Sequence, residues 1–397
     1  MYVAASVVST RLDLLRRRWR IEGGIPPVPG ARIDPKRSTS ATLNIGSTET
    51  PRDLPLTWRK DDYVARAADD VRSNLVGERP FRGTFVIYDL DAGTVAWREN
   101  WGEGLVTPMG FTFADDVLYV ADGESACIFV VDVRSTPSRI VRRISNPAFN
   151  DCHGIVRSSR GLLVACTGSD GIVEVDLDGN TIWQWWAPEH GFATAPSGHV
   201  RESGRGTDHR GVQYHTRYQT THLNSVAFAD DDERFVLTTL FHQGMLLRID
   251  RAAPERAPEV LIDGLARPHA IRRIPGGWSL ANSWAQELLL LDERFQVVHR
   301  YTGDGGWLQD GFRLSDGSFL LDDVDEHRLT RVAGPPFRTV SVTDYDSLWR
   351  IYAVEEVPAA YRSAFDLRKL RVPQTVSGTF EVRRDRELER EKGRLAG

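Results

Sequence analysis

The chain has 397 residues, 41% of them hydrophobic and 26% charged, and a formal net charge of −5, the make-up of a soluble globular protein with room for one large domain or two ordinary ones. The negative balance argues against the basic face of a nucleic-acid binder, and no apolar stretch is long enough to span a bilayer. Three cysteines, Cys127, Cys152 and Cys166, are too few for a disulfide framework, and their odd number points to a reducing compartment.

Residues 1–30 read as a short basic helix, with leucines and Trp19 set among Arg16, Arg17, Arg18 and Arg20 and with GGIPPVPG to stop it. The apolar run precedes the arginines, the reverse of a secretory signal, so a cytoplasmic protein is expected. Residues 31–80 are polar, with a second helix expected at DDYVARAADDVRSNLV. Together, residues 1–80 form an N-terminal extension expected to pack on the domain that follows.

From residue 81 a repeat takes over. Its clearest copy, GIVRSSRGLLVACT followed by GIVEVDLDGNTIWQW, is four short apolar runs, the last two joined by Asp178-Gly179, which supplies the positive φ of a tight hairpin. Outer hairpins recur as FVIYDLDAGTVAWRE, IFVVDVRSTPSRIVRRI, IVEVDLDGNTIWQWW, LLRIDRAAPERAPEVLI, LLLLDERFQVVHRY and HRLTRVAGPPFRTVSV. Inner hairpins recur as MGFTFADDVLYVAD, HGIVRSSRGLLVACT, NSVAFADDDERFVLTT, HAIRRIPGGWSLANS and DGFRLSDGSFLLDD. A period of about 41–45 residues built of four strands predicts an all-β, six-bladed β-propeller over residues 81–376. The missing inner pair is expected from SATLNIG or from SLWRIYAVEEV, closing the ring. One interval carries an insertion at about 188–220, and residues 377–397 are a charged tail.

Aligning the inner hairpins puts Met109, His153, Asn224, His269 and Asp310 at equivalent positions around the central channel, with His222 two residues before Asn224. Imidazoles from His153, His222 and His269 on three consecutive blades point to a shared site, whereas His299 and His327 fall on outer strands or turns. Two chemistries use such a set. Neutral imidazoles with the Asp310 carboxylate are a ligand set for a divalent transition metal, Fe²⁺, Mn²⁺ or Zn²⁺, in a lyase, hydrolase or oxygenase. Without metal, one histidine is nucleophile or base and the others hold a transferring anion. A non-catalytic binding propeller is the third reading, because the fold hosts all of them.

IVEVDLDGNTIWQW with His190 shortly after it resembles the DxDGxxxWxW…H blade of the arylsulfotransferase propeller family. THLNSVAFADDDERFVLTTLFHQGMLLRID resembles that family's His-x-Asn-Ser blade, which runs on into a His-Gln pair, here His242-Gln243. RPHAIRRIPGGWSLANS resembles its QHxxxxLPNGNxLLxDN blade, and the likeness extends over about residues 85–330. It implies a six-bladed enzyme that moves a sulfuryl group between phenols without a nucleotide donor. By the same resemblance His269 is the transiently sulfated nucleophile, and His153, His222 and Asn224 hold the sulfuryl oxygens and assist proton transfer. The sequence departs from the pattern where Phe241 stands in place of an arginine, where PGGW replaces Pro-Asn-Gly-Asn, and where Trp284 replaces a small polar residue. The insertion, with Arg201, Arg205, Arg210 and Arg217, reads either as a lid that supplies a cation over the channel or as a solvated loop.

The expected ligand is thus a small aromatic molecule, with no nucleic acid, no membrane and an oligomeric state left open. His242, Arg210, Trp284 and Trp307 are expected around the substrate, while Trp183, Trp185 and Trp186 pack between blades and Trp278 lies at the disc surface. Cys152 beside His153 is not expected to act with it, because neighbours on a strand face opposite ways. ADDDE and DDVDE read as solvated edges, without the spacing of a calcium loop.

Overall fold

The computed structural model describes residues 1–9, 57–59, 83–99, 101, 105–135, 137–210, 212–214, 216–345 and 349–365. Within them, six four-stranded antiparallel sheets form the blades of a propeller. From inside outward, blade I is Trp349–Glu356, Tyr2–Ser9, Thr84–Asp89 and Thr94–Glu99. Blades II to VI each run in chain order from an innermost strand: Pro108–Ala114, Cys152–Arg157, Leu223–Phe228, Pro268–Ile274 and Leu308–Arg313. Each innermost strand lies against those of the blades on either side, so the six surround one axis.

Burial explains the reading of the strands. A second strand lies between two neighbouring blades and is covered on both faces, so Leu162–Cys166 (LLVAC) and Gly277–Asn282 are buried throughout and lose the alternation of a half-exposed strand. An outermost strand such as Val297–Thr302 is mostly exposed and carries polar residues. Between blades III and IV, Leu163, Ile172, Trp185, Leu223, Val236 and Leu247 form one of the seams. Truncating a fully buried tryptophan such as Trp185 in such a seam costs about 3–5 kcal/mol.

Two expectations are corrected. The helix read over residues 1–30 is a strand where the structure describes it: Tyr2–Ser9 pairs with Trp349–Glu356 on one side and Thr84–Asp89 on the other. The run YVAASVVS is small and β-branched, and Val3, Ala4 and Ala5 are fully buried between blades, a setting that favours a strand. Residues 10–30, the helix at 61–76, SATLNIG and the tail from 377 lie outside the described residues. Of the two candidates for the missing inner pair, SLWRIYAVEEV provides the innermost strand of blade I. Trp278 is 3% exposed and stacks on Phe295 at 5.7 Å, so it packs between elements rather than lying at the disc surface.

The insertion is tied down at several points. Val212–Tyr214 pairs with Thr57–Arg59, and Asn150 donates to the carbonyls of His209 and Val212 at 2.6 and 2.7 Å. Its last residues are held by the fully buried Asp170, whose carboxylate accepts from the amides of Thr220 (2.7 Å), Thr221 (2.8 Å) and His222 (3.1 Å), from the Thr221 hydroxyl (2.9 Å) and from Arg201 (2.5 Å).

Candidate active site at the channel mouth

The first residues of each innermost strand position the site. Every one of these strands is out of register with its neighbour near its start: around Met109–Gly110, His153–Gly154, Asn224–Ser225, Ala270–Ile271, Gln309 and Tyr352. A bulge of this kind inserts an extra residue, bends the strand and re-aims a side chain. Met109, His153, Asn224, His269, Gln309 and Tyr352, one from each blade, therefore line a cavity of about 100 Å³ at the channel together with the residues that follow them. A small residue follows at Gly110, Gly154, Ser225, Ala270 and Ala353. The strands meet too closely there for more: a Cβ on Gly110 would lie 2.1 Å from the His153 carbonyl oxygen.

Two residues before this ring, three consecutive blades carry non-glycine residues with left-handed backbone, Asp151 (φ 48°), His222 (φ 49°) and Arg267 (φ 54°). His222 thus belongs to a second tier. Its ring lies 5.3 Å from that of His153, 4.7 Å from Phe241 and 5.9 Å from His242. Phe241 in turn lies 5.4 Å from His269, and Trp307 lies 5.5 Å from His269. The aromatic rings form a continuous wall from His153 to Trp307.

Hydrogen bonds fix two of the imidazoles. His269 Nδ1 faces the Ser283 hydroxyl at 2.8 Å and the Arg267 carbonyl at 3.1 Å. A carbonyl only accepts, so Nδ1 carries the proton and Nε2 keeps the lone pair. His222 Nδ1 donates in the same way to the side-chain oxygen of Gln219, whose amide nitrogen is 3.5 Å from Asp151. Asp151 also stands 3.4 Å from His153 Nε2. Burial pushes His269 down to about 3 and His222 well below the ordinary imidazole value, with His153 pushing both in the same direction. Burial likewise lowers His242, whose Nε2 meets the Thr216 carbonyl at 3.0 Å. His269 and His222 are therefore neutral at pH 7.

His153, Asn224 and His269 line the cavity as the repeat alignment predicts. Asp310 lines it too, but its carboxylate is taken up by Arg272. The register shift puts Gln309 into the ring, and Asp310 accepts from both Arg272 Nε (2.8 Å) and Arg272 Nη2, and from the Val354 amide (3.1 Å). The expected metal ligand set is not brought together: Asp310 is taken up by Arg272, and no group of three metal-binding side chains comes together among the described residues.

Arg210 is also elsewhere: it forks onto Asp208 at 2.9 and 2.7 Å and reaches Ser145. Trp307 is 1% exposed, with its indole nitrogen on Gln309 at 2.9 Å, while Trp284 is 57% exposed and meets Trp307 edge-on at 6.1 Å. Cys152 is buried in the seam between blades II and III, and the three cysteines are unbridged.

Sequence reading missed Gln309, Tyr352, Gln219, Asp151 and Arg267. For Tyr352 a signal existed, since Tyr352-Ala353 repeats the pattern of a larger residue followed by a small one seen in Met109-Gly110, His153-Gly154 and His269-Ala270. The arginine missing at Phe241 has a neighbour in kind: the Arg267 guanidinium lies 5.3 Å from the Phe241 ring.

The fold and this mouth define a six-bladed propeller whose axis opens on a wall of histidine and aromatic rings. No protein-family model matches the chain, and no curated protein sequence matches it. Among solved structures it is similar to a protein of unknown function from Bacteroides caccae (14% identity, 68% of this chain and 93% of that one, TM-score 0.47). It is also similar to a streptogramin B lyase (10% identity, 66% and 76%, TM-score 0.45). A third is a catalytically inactive virginiamycin B lyase from Staphylococcus aureus with quinupristin (10% identity, 66% and 77%, TM-score 0.44). Likeness at these identities is one of fold alone. Among the described residues no helix is long and apolar enough to cross a membrane.

Proposed function

We propose that this protein is an enzyme acting on a small aromatic molecule at the channel mouth, and that it transfers a sulfuryl group through His269. The observation that carries the reading is the state of His269: a neutral imidazole with Nδ1–H held by Ser283 and the Arg267 carbonyl, and Nε2 without a protein partner among the described residues. Such a nitrogen is a nucleophile at pH 7 with no prior proton loss.

In the first half-reaction Nε2 attacks the sulfur of an aryl sulfate. The N–S bond forms, the S–O bond to the ring oxygen breaks, and the phenolate leaves with that electron pair. Nδ1 keeps its proton, so the imidazolium charge offsets the sulfuryl group. In the second, a phenol gives its proton to the neutral His222 and attacks sulfur, and the N–S pair returns to His269. The amide of Asn224 accepts from Thr239 at 2.7 Å and donates weakly to the Pro268 carbonyl at 3.3 Å, which leaves a donor for a sulfuryl oxygen.

The test is peptide mass spectrometry after incubation with 4-nitrophenyl sulfate. The expected result is one SO₃ group on His269 and release of nitrophenol, with transfer to added phenol. His269→Ala is expected to abolish all three. An unmodified His269 together with no phenol turnover sinks the reading.

A further inference from the structure

We propose that Arg267 and the exposed face of Trp284 form an anion-binding subsite beside His269, fitted to an aromatic molecule that carries an oxyanion ester, sulfate or phosphate. The choice of an aromatic oxyanion rests on the reading above; the subsite itself rests on four observations.

First, the other arginines around the mouth are engaged, Arg272 by Asp310, Arg201 by Asp170 and Arg350 by the Gln309 side chain, and in the insertion Arg205 pairs with Glu189 and Arg210 with Asp208. Arg267 differs. Partly buried, its guanidinium has no hydrogen bond or carboxylate among the described residues, only the rings of Trp284 at 4.7 Å and Phe241 at 5.3 Å. Burial pulls its pKa below the usual arginine value, with no anion to oppose it. Stacking on rings offsets part of such desolvation, whereas a bidentate oxyanion adds two charge-assisted hydrogen bonds.

Second, Trp284 is the one aromatic among the exposed large hydrophobic side chains of the described residues. Its position is fixed from below by Trp307 and through its amide, which donates to the Ala266 carbonyl at 3.0 Å. Third, Arg267 is a non-glycine residue held at φ 54°, a conformation retained where the surroundings over-determine it. Fourth, its carbonyl accepts from His269 Nδ1, so one residue both sets the imidazole and places a cation at its side.

Titration calorimetry with phenyl sulfate, phenyl phosphate and phenol tests this in the intact chain. The wild type is expected to bind at least one of the two esters about tenfold or more tighter than phenol. Arg267→Gln should lose that preference while phenol affinity stays unchanged, and Arg267→Lys, which keeps the charge without the fork, should fall between. Trp284→Ala should weaken all three ligands by a similar factor. Whichever ester binds tighter identifies the source of the anion. Equal affinity of the wild type for esters and phenol overturns the proposal, as does a preference that survives in a folded Arg267→Gln. Should that variant misfold, competition of inorganic sulfate against phenyl sulfate, in wild type and Arg267→Lys at constant ionic strength, decides instead: loss in the lysine variant supports the subsite, and equal competition overturns it. Binding is read without turnover, so a preference that depends on Arg267 in a protein that never sulfates His269 keeps the subsite and sinks the transfer. Normal transfer by Arg267→Gln with its ester preference intact does the reverse.

Discussion

At the scale of single residues, His269 has two consequences that do not need an assay. Its proton is bound more weakly in the folded chain, at about 3, than in an unfolded one, at an ordinary histidine value near 6.5. The stability this contributes is present above pH 6.5 and is lost as pH falls from there toward 3, about 2 kcal/mol of it by pH 5. Denaturant unfolding at pH 8 and pH 5 should show that loss, and His269→Phe should lack this share of it. Imidazole resonances of His269 should stay in the neutral, Nδ1–H form down to pH 4, and a midpoint near 6.5 would overturn the depression by burial. Glu355, on the innermost strand of blade I, runs the other way: burial raises it to about 7, with Arg272 opposing and Asp310 reinforcing. Its stability is present below pH 4.5 and lost as pH rises through 7, so Glu355→Gln should stabilise the protein at pH 8 by about 1–2 kcal/mol in the same measurement. His153, Asn224 and His269 were legible because an aligned repeat exposes what recurs at one position, and His222 because it lies two residues before Asn224. Gln309 was not, because a bulge adds a residue without requiring any residue type, and the alignment ran on to Asp310.

At the scale of elements, the six bulges and the small residues after them form one device: neighbouring innermost strands converge until a side chain would meet backbone. Gly110→Ala should cost about 2 kcal/mol or more and distort the His153 strand, read by chemical denaturation and by the His153 amide shift. Asp170 plays a comparable part for the insertion. Asp170→Ala leaves the partly buried Arg201 without its carboxylate and three buried amides without an acceptor, and should cost about 3–5 kcal/mol. Limited proteolysis within 188–220 should then become rapid. Repeat period and turn chemistry made the hairpins readable. The anchoring of the insertion was not, since Asp170 and Thr220 are fifty residues apart in the chain and nothing local links them.

At the scale of the whole molecule, blade I is made from three separated parts of the chain, and this is where sequence reading failed most plainly. Tyr2–Ser9 carries no turn partner of its own, and the arginines after it suggested a helix, whereas its pairing is decided by Trp349–Glu356 from far along the sequence. A protein lacking residues 2–9 should lose the single cooperative unfolding transition in calorimetry, since the innermost strand of blade I would have no ladder partner. The same arrangement imposes an order in time during synthesis. At about 5–20 residues per second, roughly twenty seconds to a minute separates the appearance of Tyr2–Ser9 from that of Trp349–Glu356. Through that interval the early strand waits with one edge bare, a period in which a chaperone or a neighbouring nascent chain competes for it. Tyr352 arrives with the closing strand, so the mouth is finished in the same event that seals the circle.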